Sequence, residues 1–165
     1  DEYKPLYFEG KESRIYMVMA EGEPVFHHMG TNEGYFTLNM RCDGDMIYSQ
    51  LVFEDYTLTT EKEIEINNDG DKEISLEILF KASADGELKV IHEGYTVQIT
   101  KLKTGESILI DSDLNRILSD LIGQPNKYDD ITGDIDKLNI QRGKQKYKFI
   151  GKGILKLAYQ KKYKY

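Results

Sequence analysis

The chain has no tryptophan, one cysteine and 3 prolines among 165 residues, and no apolar run long enough to cross a membrane as a helix. A lone Cys42 cannot close an intrachain disulfide, so the fold must rest on its hydrophobic core. The 14 glycines are scattered and no stretch is of low complexity, which excludes collagen-like and disordered classes. The motifs of common chemistry are also missing: there is no phosphate-cradling glycine loop, no G-x-S-x-G, no H-E-x-x-H and no zinc spacing. Acid is lacking in one region only. All 29 Asp and Glu precede Lys137, whereas Lys137 to Tyr165 carries ten basic residues, so a net charge of −7 conceals a strongly basic end. That overall charge gives no reason to expect a specific nucleic-acid partner. The chain opens on Asp1 without methionine, which fits a processed secretory protein or one trimmed of its targeting segment. The expected location is therefore extracytoplasmic: secreted, periplasmic or surface-anchored.

What is present is alternation. With 39% hydrophobic residues the chain is long enough for one β-rich domain over 1–165. Apolar and polar residues alternate in runs of five to nine, separated by Gly- and Asp-rich turns. A hairpin loop of known length fixes which residues sit opposite, and opposite residues share a face. Asp43-Gly44 would set Met40 against Ile47, Leu38 against Ser49 and Phe36 against Leu51, and Glu54-Asp55 would set Phe53 beside Tyr56 and Leu51 beside Leu58. A three-residue loop at Asn68-Asp69-Gly70 would pair Ile64 with Ile74, and Ala84-Asp85-Gly86 would pair Ala82 with Leu88 and Phe80 with Val90. Glu93-Gly94 would pair Val90 with Val97 and Leu88 with Ile99, and Thr104-Gly105 would pair Ile99 with Ile110.

The fold class implied is all-β and mainly antiparallel: an up-and-down meander forming a curled sheet, barrel or sandwich, preceded by strands over Arg14 to Ala20 and Pro24 to Met29. Short connections favour the barrel. Its inward face would carry Phe36, Leu38, Met40, Ile47, Leu51, Phe53, Leu58, Ile64, Ile66, Val90, Val97 and Ile99. One amphipathic helix is expected near 112–122, because Asp111-Ser112-Asp113 offers capping oxygens and Leu114, Ile117, Leu118, Leu121 and Ile122 follow at helical spacing. Gly123 and Pro125 would stop it. A basic β-ribbon closes the chain, with Lys144, Lys146, Lys148, Lys152, Lys156, Lys162 and Lys164 on one side and Tyr147, Phe149, Leu155, Leu157, Tyr159, Tyr163 and Tyr165 on the other.

Candidate chemistry is sparse. His27 and His28 are strand neighbours that point to opposite faces, and His92 falls on an apolar face, so all three read as structural or surface residues. Asn67, Asp69 and Asp71, and again Asp111 to Asn115, have the opening of a calcium loop without its glycine and final glutamate. Asp129, Asp130, Asp134 and Asp136 read as a solvated loop. Cys42 reads as a structural thiol. Twelve tyrosines could line a sugar or lipid site, though tyrosine also suits strands. The stretch Thr31 to Tyr56, with Gly34-Tyr35-Phe36 and Gly44-Asp45-Met46-Ile47, is similar to carboxypeptidase regulatory-like sandwich domains of bacterial surface proteins. Its Glu54-Asp55-Tyr56 departs from the Gly-Tyr of that pattern, and no role is carried over.

These features point to a non-enzymatic β-rich binding or accessory domain, similar in architecture to lipocalin-type binders, that holds a small apolar ligand or displays a surface for a partner. No cofactor or metal is expected. The lysine ribbon would bind an anionic surface or polymer, unless acidic strands such as Glu61, Glu63 and Glu65 lie beside it. Two alternatives are a small outer-membrane β-barrel and a carbohydrate-active hydrolase using paired carboxylates.

Overall fold

The structure, a computed structural model, describes residues 2–30, 33–123 and 127–164. It is all-β and mainly antiparallel, with helix confined, among the described residues, to two 3₁₀ turns, Tyr128–Asp130 and Ile135–Leu138. Two compact units divide the chain, residues 1–50 with 162–165, and residues 51–161.

In the first unit, β1 (Lys4–Leu6), β2 (Tyr16–His28) and β3 (Gly34–Cys42) form a three-stranded sheet in that order. The two early strands expected from the sequence are one strand, β2, whose register against β3 shifts between Glu21 and Val25. β4 (Met46–Tyr48) follows. The second unit contains β5 (Val52–Leu58), β6 (Glu61–Asn68), β7 (Glu77–Ala82), β8 (Gly86–His92), β9 (Tyr95–Leu102), β10 (Ser107–Asp111), β11 (Arg116–Ser119), β12 (Ile131–Thr132), β13 (Gly143–Ile150) and β14 (Gly153–Tyr159). β15 (Lys162–Lys164) then pairs with β4.

The second unit is a sandwich of two five-stranded sheets, ordered β11-β10-β7-β14-β5 and β12-β9-β8-β13-β6. Both send alternate residues into one core, Phe80, Ile110 and Leu157 from the first and Val90, Ile99 and Phe149 from the second. No closed barrel forms, which removes both the lipocalin-like architecture and the outer-membrane barrel. The up-and-down meander is also corrected. Only Glu93-Gly94 makes the hairpin expected, with Leu88 opposite Ile99 and Val90 opposite Val97 across a turn whose two residues have φ of 46° and 84°. At Ala84 to Gly86 and at Thr104-Gly105 the chain crosses from one sheet to the other. Asp85 ties the two crossings together, its carboxylate accepting from the Thr104 amide at 2.8 Å and hydroxyl at 2.9 Å. Phe80, Ala82, Leu88 and Val90 all point inward as expected, but towards one another across the core.

The remaining turns fail for similar reasons. Asp43-Gly44 lies in a turn, but β3 pairs with β2 and β4 with β15. Glu54 and Asp55 sit inside the continuous β5. β6 pairs with β13, and Ile74 bridges Ile140. The stretch that resembles a carboxypeptidase regulatory-like domain is thus spread over β3, β4 and β5 in three different sheets.

The expected helix near 112–122 is a β-hairpin. The Asp111 carboxylate accepts from the amides of Asp113 (3.0 Å) and Leu114 (3.1 Å), as an N-cap would, but Asn115 then adopts φ 46° and turns the chain back. β11 runs antiparallel to β10, with Ile117 opposite Ile110 and Leu118 opposite Leu109. Ile117 is buried, while Leu114, Leu118 and Ile122 are exposed, so the helical stripe does not exist. Pro125 lies outside the described residues.

Candidate functional site

The basic ribbon is not a hairpin, since β13 and β14 enter different sheets, each between two other strands. β13 lies along β6 with Lys146 opposite Glu65 and Lys148 opposite Glu63. The ammonium groups reach diagonally: Lys144 to Glu65 at 2.9 Å, Lys146 to Glu63 at 3.0 Å and Lys148 to Glu61 at 2.8 Å. Hydrogen bonding to Lys144 holds the Glu65 carboxyl below its ordinary range, and that to Glu63 holds the Lys146 ammonium above its own. Lys156 faces Asp55 at 3.4 Å on β14. Lys152 sits in the turn before β14, and Lys162 and Lys164 are on β15. The lysines of β13 and β14 thus belong to different sheets, and four of the seven lysines face carboxylates.

The other candidates disperse. Asn68, beside the first calcium-like loop, is buried and organises it, donating to the carbonyls of Lys72 (2.9 Å) and Ile140 (3.2 Å) and accepting from the Gly70 amide. Asp111 caps its turn and pairs with Arg116 at 3.2 Å. Among the described residues no group of three or more His, Cys, Asp or Glu gathers in a metal-holding arrangement. Asp130 contacts Lys101 and Lys127, whereas Asp134 precedes the second 3₁₀ turn and Asp136 lies within it. His27 stacks on Tyr35 with ring centroids 4.5 Å apart.

Phe36, Leu38 and Met40, expected on the inward face, are exposed instead. Ala20 lies opposite Met40, Phe26 opposite Phe36 and Val18 opposite Cys42, so one face of the β2–β3 ribbon carries Val18, Ala20, Phe26, Phe36, Leu38, Met40 and Cys42. Phe26 and Phe36 are 77% and 61% exposed, and their ring centroids are 6.0 Å apart. Towards β1 the same face forms an apolar groove of about 320 Å³ lined by Leu6, Phe8, Tyr16, Val18, Met40 and Cys42. The opposite face is mixed, with Met19, Glu21, Val25, Thr37, Asn39, Arg41 and the His27–Tyr35 stack. Alternation finds the ribbon's apolar face but cannot distinguish a core from an interface.

A family model described as phage tail protein N-terminal domain matches residues 1–44, the segment that contains β1, β2 and β3. In overall fold the chain is similar to the SPP1 Dit (gp 19.1) protein, described as a paradigm of the hub adsorption apparatus of phages infecting Gram-positive bacteria. The TM-score is 0.67 at 16% identity over 99% of this chain and 66% of that one. In sequence it is similar to the SPbeta prophage-derived uncharacterized protein YomH of Bacillus subtilis strain 168, 32% identical over 169 residues, 99% of this chain and 65% of the relative. The chain thus spans less than two thirds of either protein.

Proposed function

We propose that this chain is a non-enzymatic structural component of a phage tail, and that the β2–β3 ribbon is the surface by which it assembles. The observation that carries the reading is the exposed apolar face of the ribbon within residues 1–44, the segment that matches the phage-tail family model. Likeness in fold to a tail-hub protein and in sequence to a prophage protein supports the same setting. Apolar area of this kind gains stability when covered, and a second copy is the simplest partner because assemblies of identical subunits dominate among oligomers.

Light scattering across a dilution series of the full chain tests the proposal. Self-association should weaken strongly in a Phe26→Ser, Phe36→Ser double variant whose thermal midpoint is unchanged, because neither side chain lies in the core. A parent that stays monomeric at every concentration would remove self-assembly through the ribbon.

A further inference from the structure

At one end of the sandwich, the β8–β9 turn, the second 3₁₀ turn and the loop before β7 enclose a cleft of about 320 Å³. Both side-chain amides of the lining are engaged inside the cleft. Glu73 accepts the side-chain amide of Asn139 at 2.8 Å through one oxygen and that of Gln141 through the other. The Oδ1 of Asn139 is then left buried with no partner. His92, 3% exposed and stacked on Tyr147 at 4.1 Å, directs Nδ1 at the Lys146 carbonyl oxygen at 3.2 Å. A carbonyl can only accept, so Nδ1 carries a proton. Glu93 and Asp136 complete the lining, giving three carboxylates against the single ammonium of Lys137. The field is felt inside: burial foremost, with Glu93 and Glu73 adding to it, pushes the Tyr147 phenol well above its usual range. Tyr95 offers a ring that is 55% exposed, and the Lys137 ammonium stands 5.7 Å from its centroid, which shows that the ring face accepts a cation.

A cleft with three carboxylates, one ammonium and an exposed ring face that already accepts a cation selects a cationic ligand. We propose that it is a recognition site for a primary ammonium group on a small ligand, either an amino sugar or an aliphatic amine of the lysine type. Lys137 then occupies the cation position in the empty cleft and competes with the ligand.

The full chain, titrated with glucosamine, n-propylammonium and glucose while its amide NMR signals are followed, tests this. The amines should give saturable shifts at Glu93, Tyr95 and Asn139, and glucose should not. A response to glucosamine alone assigns the amino sugar, and equal responses to both amines assign the ammonium on any stem. Asp136→Asn or Glu93→Gln should weaken binding about three- to fivefold, as expected for exposed charges, while Lys137→Met should tighten it by a similar factor. Failure of both amines to shift these signals, equal binding of glucose, or variants that bind like the parent would overturn the assignment. The ribbon plays no part in these measurements, so assembly and cleft fail or stand separately.

Discussion

Lys127 shows how much a single side chain can commit to this fold. It is 1% exposed, with its ammonium 3.1 Å from Glu106 and 3.5 Å from Asp130, a pair held by charge more than by aligned hydrogen bonds. Burial works to raise the Glu106 carboxyl, but the Ser119 hydroxyl at 2.6 Å, the Lys103 amide at 2.8 Å and Lys127 outweigh it and hold the group below 4.5. Glu106→Gln should cost about 3 kcal/mol or more at neutral pH, because it leaves a buried ammonium poorly compensated. The sign of the pH effect follows. A depressed carboxyl contributes its full stability above the ordinary value of 4.5 and loses it as pH falls through the folded value. Urea midpoints of parent and variant should therefore converge in acid; a constant difference at all pH values would show that Glu106 acts through packing alone.

At the scale of elements, the β10–β11 hairpin is the sharpest test, because a helix and a strand bury different residues of the same segment. As a strand it places Ile117 in the core and leaves Leu118 40% exposed on the outer face of its sheet. Ile117→Ala should cost about 2–5 kcal/mol and Leu118→Ala less than about 1 kcal/mol. Equal and large losses would restore the helical stripe. Close approach matters as much in the paired β14. A Cβ at Gly153 would overlap the Lys81 carbonyl oxygen of β7, so glycine here permits the strand to lie between β7 and β5.

On the molecular scale, the separation of charge along the chain is undone by folding. The acidic β6 and the basic β13 are far apart in sequence and adjacent in the sheet, so the ladder of Lys144, Lys146 and Lys148 meets Glu65, Glu63 and Glu61. Replacing the three lysines by Gln should leave the thermal midpoint little changed, since these ion pairs are exposed to water and salt. Retention on heparin should change little. A large loss of retention with unaltered stability would return the ladder to the anionic-surface role read from its sequence.

Alternation of apolar and polar residues determined by itself that the chain is all-β, and it placed Ile64, Ile66, Val90, Val97 and Ile99 correctly in the core. Asn-, Asp- and Gly-rich turns likewise marked where strands end, because their backbone preferences are local. Pairing was legible only at Glu93-Gly94. Two strands that pair in one sheet and two that face each other across a sandwich both turn their apolar sides inward, so period-two patterning cannot separate a hairpin from a crossing between sheets. The Asp111 to Ile122 segment was ambiguous for a related reason: capping oxygens followed by apolar residues serve a helix, but the same Asp111 caps a turn when Ile117 can be buried by pairing with Ile110. Phe36, Leu38 and Met40 met the pattern of a core and form an exposed ribbon, because whether an apolar face is covered depends on what lies against it, which tertiary structure alone decides.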